Sequence, residues 1–111
     1  MSEILVVGSE TYSGTQAAIT AAITGIGGAT LIVTADNSIA SVYARTWAVT
    51  NGVTFINLGY ILPGNGFTLF NTPLAADSLT TPTHVLTAGT HARVTAASGS
   101  AAARGRTLVQ I

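Results

Sequence analysis

The sequence predicts a mainly-β domain, an antiparallel β-sandwich or jelly roll with room for one short N-terminal helix, and three observations predict it. Two β-type runs, Arg45 to Thr50 and Val53 to Leu58, flank Asn51-Gly52, the preferred pair for a type I′ hairpin. Other short apolar runs are punctuated by the turn signals Pro63-Gly64-Asn65-Gly66 and Ala88-Gly89. From Thr90 to Ala96, the residues Ala92, Val94 and Ala96 alternate with His91, Arg93 and Thr95, the period-two pattern of a half-wetted strand. The length of 111 residues suits one core and hence a single domain over 1–111.

Taken in order, Glu3 to Gly8 (EILVVG) is a β-rich apolar run closed by glycine and reads as the first strand. In Ser13 to Ile26, Ile19, Ile23 and Ile26 recur at helical spacing and Ser13 with Gln16 matches a capping box, so a short helix ending at Gly25 is expected. The same Ala-Ile-Thr units also alternate acceptably as a strand. Ala29 to Ala35 (ATLIVTA) is β-branched and stops at Asp36-Asn37, whose side chains favour turns. A two-residue turn at Asn51-Gly52 pairs Thr50 with Val53 and Trp47 with Ile56. One face then carries Trp47, Val49, Ile56 and Leu58, and the other Ala48, Val53 and Phe55. Both faces are apolar, which suits a hairpin covered on both sides, by a second sheet and by another subunit. Further strands are expected at Phe67 to Asn71, ended by Pro73, at His84 to Thr87, and at Thr107 to Ile111; Ala97 to Gly105 reads as a flexible loop.

Composition narrows the function. Charged residues make up 7% of the chain, lysine is absent and hydrophobic residues reach 48%, whereas soluble domains average about 25% charged residues. A surface so poor in charge suits a protein packed permanently against copies of itself or other subunits. The net charge is zero and four scattered arginines offer no phosphate-binding face, so no nucleic-acid partner is expected. Zero cysteines exclude disulfides, thiolate catalysis and cysteine-based zinc sites. The uncharged run Thr11 to Ala35 is long enough to cross a bilayer, but Gly14, Gly25, Gly27 and Gly28 interrupt it and no basic or aromatic anchors flank it, so no membrane span is expected. Met1-Ser2-Glu3 lacks the basic start of a secretory signal.

No catalytic constellation emerges. The carboxylates Glu3, Glu10, Asp36 and Asp77 are scattered, and His84 and His91 lack an obvious third metal ligand. Ser98 and Ser100 lie outside a Gly-x-Ser-x-Gly frame, and Gly25, Gly27 and Gly28 do not make a phosphate loop. No enzyme activity, metal or cofactor is therefore expected. The residues marked as interface candidates are Trp47, Val53, Phe55, Tyr43 and Tyr60; as an alternative, Tyr43, Tyr60 or Trp47 would stack a sugar in a carbohydrate- or receptor-binding module at a fibre tip.

From Thr46 onward, Ala48-Val49-Thr50-Asn51-Gly52, Phe67-Thr68-Leu69-Phe70 and Val85-Leu86-Thr87-Ala88-Gly89-Thr90 leading into Ala92-Arg93-Val94-Thr95-Ala96 resemble small β-sandwich structural proteins of tailed bacteriophages: capsid-decorating, head-fibre or tail-associated subunits. In that family the Leu-x-Ala-Gly turn joins two sandwich strands. The first 45 residues take no part, and their Thr-Gln-Ala-Ala-Ile-Thr-Ala-Ala-Ile stretch is instead similar to the opening helix of right-handed β-helix spikes. The resemblance implies a non-enzymatic virion subunit, often trimeric, whose partners are its own copies and other virion proteins.

Overall fold

In the computed structural model, which describes residues 2–9, 12–34, 38–57, 61–62, 67–68, 82–90 and 92–111, the first strand is the middle of a sheet. Strand β1 (Ser2–Gly8) pairs in parallel with β2 (Ala29–Thr34) on one side and β6 (His84–Ala88) on the other. Beyond these, β3 (Thr54–Asn57) and β7 (Thr107–Gln110) extend the sheet, again in parallel, to the order β3-β2-β1-β6-β7. The described helices are α1 (Gln16–Ile26), α2 (Ile39–Asn51) and α3 (Ala92–Ala103). A separate antiparallel pair joins β4 (Ile61–Leu62) to β5 (Phe67–Thr68).

The expected antiparallel sandwich is therefore overturned in favour of an α/β fold with an all-parallel main sheet. Its physical basis lies in the central strands, which read as unbroken apolar runs because both of their faces are covered. Ile4, Val6, Ile32, Leu86 and Ala88 pack with Ile19 and Ile23 of α1 and Ala40, Ala44 and Ala48 of α2. The intervening Leu5, Val7, Val33 and Val85 pack on the opposite face with Val94, Ala97 and Ala101 of α3. The expected strands at Glu3–Gly8, Ala29–Ala35, His84–Thr87 and Thr107–Ile111 correspond to β1, β2, β6 and β7, with parallel neighbours instead of antiparallel ones. Of Phe67–Asn71, only Phe67–Thr68 is described, as β5; the turn Pro63–Gly66 and Pro73 lie outside the described residues.

The expected N-terminal helix is present as α1, with a different cap. Thr15, not Ser13, closes its first turn by accepting from the Ala18 N–H at 3.3 Å. Gln16 makes no capping box. Its Nε2 donates to the Tyr43 carbonyl at 3.1 Å and ties α1 to α2.

The main correction falls at Asn51-Gly52, which ends a helix and turns no hairpin. Gly52 adopts φ 67° and ψ 27° and donates its N–H to the carbonyls of Ala48 and Val49, a left-handed C-cap. A type I′ turn and a helix C-cap both want a left-handed Asn or Gly, so the pair by itself does not distinguish them. The four-residue spacing of Ala40, Ala44 and Ala48, all fully buried, decides for a helix lying close to the sheet. After the cap, β3 returns parallel to β2, with Ile32 beside Phe55. Trp47 and Ile56 are consequently not cross-strand partners.

Helix α3 takes over both the expected strand Thr90–Ala96 and the expected loop Ala97–Gly105. Val94, Ala97 and Ala101 are buried at spacings of three and four, and the short alternation before them fits either period. The Leu-x-Ala-Gly segment accordingly leads from β6 into α3 and does not join two sandwich strands. Gly99 sits inside α3, and a Cβ built on it meets nothing within 4 Å. Gly99→Ala is expected to raise stability by about 0.5–1 kcal/mol in urea unfolding; a loss would argue against helix at this position.

Candidate functional site

All strands of a parallel sheet end at the same edge. At that edge the chain leaves β1 toward α1 on one face and leaves the adjacent β6 toward α3 on the other. Diverging connections between neighbouring strands open a crevice, the switch point at which doubly wound sheets bind ligands. Here the switch point falls at Gly8-Ser9 at the end of β1 and Ala88-Gly89-Thr90 at the end of β6, where Gly8 pairs with Ala88; these five residues are the floor of that edge.

Glycine is needed at both strand ends. A Cβ on Gly8 would overlap Ser38 Oγ and lie 2.9 Å from the Cβ atoms of Ser38 and Ala40, so the start of α2 rests directly on the end of β1. Gly89 has φ +84°, and a Cβ there would come within 2.7 Å of Ser9 Cβ. Fully buried Ser9 stitches the two loops together: its N–H donates to the Ala88 carbonyl at 2.8 Å and its hydroxyl to the Thr90 carbonyl at 3.0 Å. Ser38 caps α2 by accepting from the Ser41 N–H at 3.3 Å, and the Ser41 hydroxyl donates to the Val6 carbonyl at 3.4 Å.

Beside this floor, the ends of β2 and β3 carry a polar row. Buried Thr34 accepts from Arg45 Nη1 at 2.8 Å and donates to Asn57 Oδ1 at 3.1 Å. The three described helices begin at this edge, because each follows a strand of the parallel sheet. Their positive dipole ends and the N–H groups of their first turns favour an anion. Of the chain's carboxylates, Glu3 is among the described residues and sits at the far end of β1; Glu10, Asp36 and Asp77 lie outside them. The described floor is thus built of backbone groups and hydroxyls that bond one another: the Ser9 N–H and hydroxyl are taken by the Ala88 and Thr90 carbonyls, and the Gly89 N–H by the Ile111 carbonyl at 3.3 Å.

The residues singled out from sequence lie elsewhere. Tyr43 and Trp47 are half-buried on α2, against the core. Trp47 also lines a shallow 180 Å³ cleft with Gln16, Thr20, Thr46, Thr50 and Asn51, in which it is the single aromatic. Val53 is half-buried, Phe55 is 40% exposed on β3, and Tyr60 lies outside the described residues. His84 stands at the start of β6 with Nδ1 2.8 Å from Thr83 Oγ1, and His91 lies outside the described residues. Among the described residues no group of three or more His, Asp or Glu is placed to hold a metal, and no helix is long and apolar enough to cross a membrane. Sequence reasoning reads Gly8 and Gly89 as strand-end and turn glycines with no site role and does not single out Ser9 or Ser38. The signal available was an apolar strand ending in glycine ahead of a helix, at β1 and again at β6.

Strand order and helix placement together define a doubly wound α/β domain with its topological switch point between β1 and β6. Set against known proteins, the chain matches no family model, no curated protein and no solved structure.

Proposed function

We propose that this protein is a small-molecule-binding domain that holds a phosphate- or carboxylate-bearing ligand in the crevice over Gly8-Ser9 and Ala88-Gly89-Thr90. The observation that carries the reading is the divergence of α1 and α3 to opposite faces from the adjacent strands β1 and β6. Helix N-termini converging there supply the preference for a negative group, and Arg45 on the flank adds to it. The test is an amide NMR titration of the whole chain with inorganic phosphate, AMP and NAD at millimolar concentration. Shifts concentrated at Gly8, Ser9, Gly89 and Thr90 are expected with at least one probe. Shifts that leave these four residues unmoved, or none with any probe, would overturn the reading.

A second reading, a structural subunit of a phage virion, draws support from the 7% charge content and from sheet edges without charged residues. It no longer draws on a β-sandwich. Stoichiometric recovery of the protein in purified particles would favour it, and its absence from them would remove it.

A further inference from the structure

Of the seven large apolar side chains exposed among the described residues, five lie on α2 and β3, and the other two, Leu108 and Ile111, lie on or just after β7. Ile39, Val42 and Val49 of α2 are 45%, 43% and 69% exposed, and Phe55 and Ile56 of the adjoining β3 are 40% and 38% exposed. Val42 and Val49 are two helical turns apart and share a ridge. With Phe55, Arg45, Thr46 and Thr50 they line a 300 Å³ groove between the helix and the strand. A contiguous patch of this kind marks an interaction surface.

From this arrangement we infer that a second copy of the chain docks by two-fold symmetry against the edge formed by α2 and β3, independently of the ligand reading. Among the described residues, strand β3 has one neighbour in the sheet, β2. Its sequence, Thr-Phe-Ile-Asn, has none of the lysine or proline with which natural edges are protected from pairing. A two-fold axis normal to the sheet brings β3 antiparallel to its copy and leaves both α2 helices on the same face, side by side. One rotation therefore pairs the strand edges and buries Val42, Val49 and Phe55 against their counterparts.

Charge selects the occupant. Near a two-fold axis each group faces its own kind, so an ionised residue meets a like charge and a neutral patch is self-complementary. Among the described residues that line the groove, the one charged side chain is Arg45, half-buried with its guanidinium donating to Thr34. Pairing of this type gives a dimer with a continuous sheet, in place of the trimer implied by the phage resemblance.

The absence of cysteine from the chain allows a clean test with single-cysteine variants. Sedimentation velocity of the full chain should show a monomer–dimer equilibrium, and Val49→Cys should cross-link to itself with a short bismaleimide while Gln110→Cys, on the opposite edge strand, does not. Val49→Lys should weaken the dimer by about tenfold or more, with a thermal melt by circular dichroism that matches the parent's at concentrations where both are monomeric. A monomer at every concentration, a dimer indifferent to Val49→Lys, or cross-linking through Gln110→Cys would overturn the inference.

Discussion

Gly8→Val is expected to cost a large share of the stability of this protein. The added side chain would start from a Cβ that overlaps Ser38 Oγ and lies 2.9 Å from Ala40 Cβ. Neither neighbour can yield easily, since Ser38 caps α2 and fully buried Ala40 fixes the first turn of that helix on the sheet. Overpacking usually costs about 1–3 kcal/mol and occasionally more, and a lost cap adds about 1 kcal/mol. A total of about 2–4 kcal/mol is a large share of the roughly 5–15 kcal/mol that holds a domain together. Urea unfolding, with amide dispersion as a check on the native state, measures it. A native-like midpoint would mean that α2 does not rest on the end of β1.

The second large effect is expected at Leu86. Its side chain is fully buried on β6, in the cluster that includes Ile4, Val6, Ile19 and Ile32. Removal of a leucine from such a site costs about 2–5 kcal/mol, because lost transfer energy is joined by a cavity that close-packed neighbours cannot fill. Leu108, on the edge strand β7 and 36% exposed, is the internal comparison. Leu108→Ala should cost less than half as much in the same denaturant series. Equal losses would contradict the central place of β6.

The contrast between these residues shows what the chain disclosed before folding. EILVVG and the strands at β2, β6 and β7 were legible because continuous β-branched runs bounded by turn residues have few other uses. Helix α1 was legible from Ile19 and Ile23. The direction of pairing was not, since a strand buried on both faces looks the same in a parallel sheet and in the middle of a sandwich. Asn51-Gly52 tipped the reading toward a hairpin, although Ala40, Ala44 and Ala48 before it carried a helical period in small residues. Alanine is a weak marker by hydrophobicity and a strong one by fit, because only a small side chain lets a helix lie against a sheet as α2 does. The crevice escaped notice for a related reason: its floor is glycine, serine and backbone, and the meaning of these depends on two strand ends meeting that are about 80 residues apart.

That separation also governs how the protein is made. The Glu3 N–H reaches Thr83 Oγ1 across 80 positions, whereas β1 and β2 are joined through one short helix. During synthesis, β1, α1, β2, α2 and β3 can assemble while the other side of β1 still waits for its partner, because contacts distant in sequence close late. Until His84–Ala88 leaves the ribosome, the innermost strand of the finished molecule is an outermost one, apolar from Ile4 to Val7 with only Glu3 to discourage a stranger. The charge poverty of the chain therefore weighs most on its nascent form: slow elongation between β3 and β6 would lengthen the time in which two incomplete chains can join through the strand that later holds each of them together.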